Sequence, residues 1–331
     1  MESLWPSLRA ALHWMTTYGD RDGDGFLEYE RRSADGLIHQ GWKDADDAIF
    51  HADGTPVQGA IALCEVQGYA YAAYKAASTL AELLGKPEEA ACFAGQADML
   101  YERFNEAFWC EDLSTYALAL DGEKRRCCVV TSNAGQCLFT GIATPERAAR
   151  VAQTLLSNAS FSGWGIRTVA SFEPRFNPMS YHNGSIWPHD NALIAFGMAR
   201  YGLTQQANIV FHGLFEAAMY FDLHRMPELF CGFEKEAGEG PVLYPVACAP
   251  QAWAAASMFL LFQATLGLRV DGIMKQVILK SPALPEFLND IRITNLRVGD
   301  SSIDLDVVRH GDEVGVITKQ ATNDLAVVLT K

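Results

Sequence analysis

Apolar residues recur at helical spacing through most of the first 266 positions and switch to β spacing after Gly267. Leu4, Leu8, Leu12 and Met15 stand three or four apart, with Trp5 and Ala11 beside them. They predict an opening helix that Gly19 and an acidic stretch bring to a stop. An irregular segment follows from Asp20 to about Pro56. The spacing then predicts helices at about 56–83, 87–111, 129–141 and 144–157. A second loop-rich stretch, Asn158 to His189, holds Gly163, Gly165, Pro174, Pro178, Gly184 and Pro188. Helices resume at about 190–202 and 204–221, a third loop covers 222–247, and a last helix covers about 249–266. Beyond Gly267, "QVILK", "IRITNL", "SSIDLDVV", "EVGVIT" and "LAVVLT" predict a small β module, broken by Gly, Pro, Asn and Asp. The expected domains are thus a helical one, 1–267, and a β cap, 268–331. No fixed-length repeat appears, so a solenoid of short repeats is not supported. Three long loops inside a helical domain point to function, because such loops are otherwise uncommon.

Charge and composition narrow the classes. The chain has 331 residues, 49% of them hydrophobic, enough to bury a large core. The formal net charge is −14. A surface that neutralises phosphates needs the opposite sign, so nucleic acid and anionic membrane are disfavoured as partners. "MESLWPSLRAALHWM" has neither a basic start nor an unbroken apolar run, and no stretch is long and apolar enough to span a bilayer. The eight cysteines, Cys64, Cys92, Cys110, Cys127, Cys128, Cys137, Cys231 and Cys248, form no CxxC pair and mostly sit among apolar residues. They read as reduced, buried thiols of a cytoplasmic protein.

Each long loop mixes aromatics with amides and carboxylates. The first contains "HQGWKDADDAI", with Gln40, Trp42 and Asp44. The second ends in "SYHNGSIWPHD", with Tyr181, His182, Asn183, Trp187, His189 and Asp190. The third contains "PELFCG", with Glu228, and beyond it "CAPQAW" places Gln251 and Trp253 at the last helix. Sugars present apolar faces that stack on Trp and Tyr, and hydroxyls that pair with fixed polar groups. A carbohydrate partner is therefore the expectation. Taken singly, Trp42 and Trp187 are also ordinary packing residues, and Asp44 is also one acid of a solvated turn with Asp46 and Asp47. The two histidines are also structural ones. No HExxH supports a metalloenzyme, and no Gly-x-Ser-x-Gly, P-loop or GxGxxG is present. Two carboxylates on aromatic-lined loops are what glycoside hydrolysis needs: one protonates the leaving oxygen, the other activates water or attacks the sugar.

"DRDGDGFLEY", residues 20–29, leads into the first loop and has half of a calcium loop. Asp20, Asp22 and Asp24 fall at positions one, three and five, Gly25 at six, Phe26 at seven and Glu28 at nine. Arg31 stands where a bidentate Glu should close the set. Two readings stay open: a structural calcium ion, or acids that bond backbone amides in Asx-turns. Tyr29 and Arg31 are candidates for facing the pocket.

Together "DRDGDGFLEY", "HQGWKDADDAI", "LCEVQGYAYAA", "SNAGQCL", "GWGIRT", "NPMSYHNGSIWPHDNALIAFGMARYG", "PELFCG" and "CAPQAW" resemble bacterial proteins of the amylo-α-1,6-glucosidase, or glycogen-debranching-like, group. The resemblance runs from residue 1 to about 267, and the β module resembles the C-terminal cap of such proteins. It implies an (α/α)6 toroid-type barrel and inverting hydrolysis of an α-glucoside or short α-glucan, with no cofactor required. It implies Asp44 as general acid and Glu228 as general base. Trp42, Tyr181 and Trp187 would shape the sugar subsite, with Gln251 and Trp253 supporting it. Ala45 stands where relatives have Ser, and Gln136 departs from the pattern in "SNAG-x". Eight helices of an expected twelve imply an incomplete barrel. Its open flanks would be Leu4, Leu8, Leu12 and Met15 on one side and Trp253, Met258, Leu260 and Leu261 on the other. Self-association, or an upstream domain that completes the barrel, would cover them. The rival readings are a weak or inactive carbohydrate-binding relative and a purely structural helical scaffold.

Overall fold

In the computed structural model, which describes residues 2–311, 313–322 and 325–330, the change of spacing at Gly267 is a change of architecture. Eight α-helices are described before it: α1 (Trp5–Trp14), α2 (Cys64–Leu83), α3 (Pro87–Ala107), α4 (Asn133–Thr140), α5 (Pro145–Leu155), α6 (Pro188–Arg200), α7 (Thr204–Ala218) and α8 (Ala252–Leu266). The spacing that predicts a helix also selects the face it buries. α2 buries Ala70, Tyr74, Ala77 and Ala81, α3 buries Ala97, Leu100 and Phe104, and α5 buries Ala148, Val151, Ala152 and Leu155. Such single stripes belong to helices with one side in solvent. α4 and α6 are buried on almost every side.

Packing follows from this difference. α2 lies against α4, α4 against α6 and α6 against α8, as an inner row. α3 backs α2, α5 backs α4, and α7 backs α6 and α8, as an outer row, with α1 also against α2. α4 and α6 approach so closely that a Cβ on Gly197 would stand 2.4 Å from the Phe139 nitrogen, which fixes a glycine there. Outer and inner helices alternate along the chain, so every second connection lies at the same end of the row. The inner-to-outer connections, 84–86, 141–144 and 201–203, are short. The outer-to-inner ones, 20–61, 108–132, 156–187 and 219–251, are long. All four long loops therefore meet at one end, and the first turns of α2, α4, α6 and α8 point into them.

Four two-residue strands stiffen these loops: β1 (Ala62–Leu63), β2 (Trp109–Cys110), β3 (Thr115–Tyr116) and β4 (Ala119–Leu120), with β1 on β4 and β2 on β3, all antiparallel. The module after α8 contains β5 (Leu268–Asp271), β6 (Gln276–Lys280), β7 (Asp290–Val298), β8 (Ser301–His310), β9 (Glu313–Ala321) and β10 (Ala326–Thr330). One sheet runs β10-β6-β5, with β10 parallel to β6; the other is an antiparallel β7-β8-β9. They share a core of Val277, Leu279, Val298, Ile303, Leu305 and Val307 that reaches Leu266 of α8. Phe287 stacks on Phe215 of α7, which docks the module on the outer row. Met1 and Lys331, the outer bounds of the two expected domains, lie outside the described residues.

Several boundaries differ from the spacing. The helix expected from 56 starts at Cys64, because Ile61 bridges Tyr29 and Ala62–Leu63 pairs with β4. The one expected to 111 ends at Ala107, because Trp109–Cys110 pairs with β3. The opening helix ends at Trp14 and continues as a π turn, Met15–Gly19. The expectation of reduced thiols fails at one pair: Cys110 and Cys128 form a disulfide that joins β2 to the segment before α4. Cys64, Cys127, Cys137 and Cys231 are free and buried, while Cys92 and Cys248 are exposed. Among the described residues no helix is long and apolar enough to cross a membrane.

Candidate active site

The acidic stretch after α1 folds by bonding its own backbone. Asp20 accepts from the Gly23 and Gly25 amides at 2.8 and 3.0 Å, Asp22 from the Asp24 amide at 3.2 Å, and Asp24 from the Phe26 amide at 2.9 Å. The bonds of Asp22 and Asp24 are Asx-turns, and Asp20 closes the loop over them. The cation they face is internal. Lys124 places its ammonium 2.9 Å from Asp22 and 2.6 Å from Asp24, and it also bonds Glu28. Asp20, Asp22 and Glu28 do bring one oxygen each within 4.8 Å of one another. A calcium ion there would have to displace that ammonium. Gln67 of α2 exchanges hydrogen bonds with both backbone groups of Leu27, at 2.8 Å each, which fixes the loop to the inner row. Tyr29 turns to His39 at 2.9 Å, and Arg31 is exposed and bonds the Ser33 carbonyl, so Arg31 does not face the pocket.

Downstream, the first loop delivers Trp42 into an aromatic floor built mainly by the second. Trp42 meets His182, Trp187 and His189 edge-on, with ring centroids 5.7, 5.6 and 5.1 Å away. His189, in the first turn of α6, stacks flat on Trp253 of α8 at 3.8 Å. Trp187 is almost wholly buried, and its indole donates to the Tyr181 carbonyl at 2.9 Å and to the Ser185 hydroxyl at 3.1 Å. It holds the turn together. Asn183 is likewise buried and donates to the Asp47 carbonyl at 3.1 Å, pinning the acid loop to the second loop.

Two carboxylates flank consecutive residues of that floor. Asp44 stands 4.0 Å from His182 Nδ1, with its side chain 53% exposed. The Ala45 amide donates to the same Nδ1 at 3.2 Å, so the ring proton belongs on Nε2. Burial, helped by Lys43 and His189, pushes His182 down to about 3, and it is neutral at pH 7. On the other side, Glu228 Oε1 accepts the Tyr181 hydroxyl at 2.7 Å and Oε2 accepts the Cys248 amide at 3.1 Å. The backbone pairs as well, Glu228 N–H donating to the Cys248 carbonyl at 2.8 Å. Burial and the Glu228 charge push the Tyr181 phenol up, so it stays a donor.

Next to the floor lies a polar layer of which the sequence reading named only Asp190 and Gln136. Lys43, between Trp42 and Asp44, is 1% exposed and donates to the Thr168 carbonyl at 2.7 Å. Burial pushes it down to about 8, against the pull of Asp190 and Glu65. Glu65 and Asn133 open α2 and α4 and are wholly buried, and Gln136 donates to Asp190 Oδ1 at 2.5 Å. Glu65 carried one usable signal: it is the first charge after the apolar run that leads into α2. Of the expected residues, Trp42, Asp44, Tyr181, His182, Trp187, His189, Glu228 and Trp253 come together. Asp190 lies in the polar layer, and Gln251 sits at the N-cap of α8. Gln40 is exposed.

The family model of the mannosylglycerate hydrolase MGH1-like glycoside hydrolase domain matches residues 1–226. The chain belongs to this family. The match takes in the acid loop and the whole Tyr181–Asp190 turn and stops two residues before Glu228. Mannosylglycerate hydrolase MGH1 of Selaginella moellendorffii is 33% identical over 73 residues, 22% of this chain and 15% of that one. Among solved structures, a GH78 rhamnosidase of Bacillus sp. GL1 superposes with a TM-score of 0.68 at 18% identity, over 99% of this chain and 30% of that one. A sialidase does so with 0.65 at 13% identity, over 96% and 29%. A GH63 mannosylglycerate hydrolase from Thermus thermophilus, in complex with Tris, gives 0.54 at 17% identity, over 78% and 70%. At these identities the likeness is one of fold, that of the (α/α)6-barrel glycosidases. The chain spans 15% of the curated relative it matches and under a third of the rhamnosidase and sialidase chains.

Proposed function

We propose that this member of the MGH1-like glycoside hydrolases cleaves an α-glycoside with inversion, Asp44 acting as general acid and Glu228 as general base. One observation supports the reading: Glu228 bonds the Tyr181 hydroxyl at 2.7 Å and Asp44 stands 4.0 Å from the ring of the next residue, His182, beside one aromatic cluster. Asp44 gives its proton to the glycosidic oxygen as the bond from that oxygen to the anomeric carbon breaks. Water attacks the anomeric carbon from the other face and loses its proton to Glu228, whose two hydrogen bonds hold it in place. Trp42 and Tyr181 exclude water from the ring's apolar side and stack against it, and buried Trp187 supports both from behind. The amylo-α-1,6-glucosidase resemblance favours an α-1,6-glucoside as substrate. The family model and the Selaginella relative, named for mannosylglycerate, favour a small α-mannoside of an organic acid. Asp44 is 53% exposed, so its carboxyl is open to water rather than enclosed around a substrate. That exposure favours a second reading, slow turnover by this chain alone.

Substrates that differ in leaving group test the roles. Asp44→Asn should lose roughly 10²–10⁴-fold in kcat on an alkyl α-glycoside and far less on a glycosyl fluoride, which leaves without a proton. Glu228→Gln should lose similarly on both. Equal losses for the two variants on the two substrates would contradict the assignment.

A further inference from the structure

The long loops 20–61, 108–132 and 219–251 are all tied to one dipeptide, Arg167–Thr168 of loop 156–187. The Thr168 carbonyl accepts the Lys43 ammonium at 2.7 Å and the Ser132 amide at 3.1 Å. Its hydroxyl accepts the Gly184 amide at 2.8 Å, and its own amide donates to the Ser185 carbonyl at 2.9 Å. The Arg167 guanidinium reaches the other way. Nε donates to the Gly232 carbonyl at 2.6 Å, and Nη1 to the Asn158 and Ala159 carbonyls at 3.0 and 3.3 Å. Backbone bridges run in parallel, from Arg167 to Ile186 and from Ile186 to Phe230. The fit at Gly232 is tight, since a Cβ there would stand 1.7 Å from the Gly184 carbonyl oxygen.

Both side chains are cations where water does not reach. Lys43 is 1% and Arg167 2% exposed. The charges of Asp190 and Glu65 act on Lys43. Glu234, the acid beside Arg167, is itself exposed and stands 3.9 Å away. A buried cation is costly, and an apolar side chain would pack in its place without that penalty. What each cation holds instead is a backbone carbonyl on another loop. Lys43 immediately precedes Asp44. Gly232 lies four residues after Glu228, with the bridged Phe230 between them. Inversion needs the two carboxyls about 6.5–9.5 Å apart, with a water between the base and the sugar. A misplacement of about 1 Å can cost roughly 10²-fold in rate. The two acids come from loops far apart in the chain, and one dipeptide ties both.

We infer that Lys43 and Arg167 are positioning residues, Lys43 for the acid Asp44 and Arg167 for the base Glu228, and that Arg167–Thr168 sets the spacing of the two carboxylates. This rests on the acid–base reading above. Buried as they are, neither cation meets the substrate, and each acts through the loop it holds. Loss of Lys43 therefore disturbs protonation of the leaving group, and loss of Arg167 disturbs activation of the water. A side chain that only stabilises the fold would impair both halves alike.

Kinetics on the full chain separate the halves. The probes are methyl α-glucoside, methyl α-mannoside, the two matching α-glycosyl fluorides, and sodium azide. A fluoride leaves without a proton, so it relieves a misplaced acid. Azide attacks the anomeric carbon with no proton to lose, so it relieves a misplaced base. Its carbon–nitrogen bond forms as the bond to the leaving oxygen breaks, and Asp44 gives that oxygen its proton. Lys43→Met should lower kcat roughly 10²-fold on the methyl glycoside and less than about 5-fold on the fluoride, with no gain from azide. Arg167→Gln should lower kcat roughly 10²-fold on both, and azide should raise its rate about 10-fold or more, giving the β-glycosyl azide. Arg167→Lys, which keeps a donor for Gly232, should fall between Arg167→Gln and the parent. Lys43→Gln and Arg167→Lys are read by the same criteria where the first variants do not fold. Asp44→Asn and Glu228→Ala are the references. If they fail to show the fluoride and azide patterns, the acid–base reading is wrong and the positioning roles go with it. If they show them while the Lys43 and Arg167 variants lose equally on every probe, or lose nothing, the positioning roles alone are overturned.

Discussion

His182 shows how one residue serves both the fold and the site. Its Nδ1 receives the Ala45 amide, its ring stacks on Trp187, and burial keeps it neutral. His189 and His39 are also held below the ordinary histidine value, burial being the main cause in each. The consequence for stability has a definite sign. A histidine whose folded value lies below its unfolded one takes up a proton on unfolding once the pH drops beneath about 6.5. Stability is therefore full above that pH and is lost as the pH falls, down to about 3 for His182. Glu65 and Glu173, pushed up by burial, act in the opposite direction and reduce the net uptake. Melting curves between pH 7 and pH 5 should show Tm falling. His182→Asn, which keeps an acceptor for Ala45, should flatten the slope by about one proton, or about 1.4 kcal/mol per pH unit. An identical slope in the variant would remove His182 from the explanation.

At the scale of elements, the acidic loop joins the site to a second segment. Lys124 belongs to the turn after β4, yet its ammonium sits among the carboxylates of the stretch that leads to Asp44. With an internal cation in place, excess EDTA should leave Tm unchanged. Lys124→Met leaves like charges facing one another and should lower Tm by roughly 2–4 °C, partly restored by millimolar calcium. A fall in the parent chain's Tm with EDTA would mean that a metal ion, rather than Lys124, holds the loop. The physics also explains what was legible in the sequence. The stripes of α2, α3 and α5 were readable because a periodic face reports its own burial. "QVILK" coincides with β6 for the same reason. β1 to β4 were not, because each is only two residues long, too short to show a period, and β1 and β4 find each other from far along the chain. Neither was the Cys110–Cys128 disulfide, since adjacent Cys127 and Cys128 do not say which one is bonded. At the site, the aromatics announced themselves by clustering. Lys43 and Glu65 did not, because a charge in a sequence reads as exposed until the fold buries it.

For the whole molecule, the inner row ends at α8, a helix without a single charged residue. Two of the large residues on it are exposed, Trp253 at 46% and Phe259 at 78%, with Ala252 and Ala256 alongside. Most of the residues the sequence reading expected on open flanks are covered: Leu12 and Leu261 are buried, and Leu8, Met15, Met258 and Leu260 pack against the core. On the α1 side, Leu4 remains exposed, with Trp14 and Tyr18. An apolar stripe of this kind is seldom left to solvent. We expect the chain to associate with itself reversibly at high concentration. Phe259→Glu should shift sedimentation toward the monomer without lowering Tm. A parent chain that is monomeric at every concentration would contradict that expectation.

Hydrolysis by inversion is the central claim, and the product's anomeric configuration tests it most directly. The chain is mixed with an α-mannosyl or α-glucosyl substrate, mannosylglycerate and an α-1,6-glucoside included, and proton NMR follows the first minutes of reaction. We predict that the β anomer of the free sugar appears first and then mutarotates, and that Asp44→Asn and Glu228→Gln each abolish that first signal. An α anomer appearing first, or a β signal that survives in either variant, would contradict it.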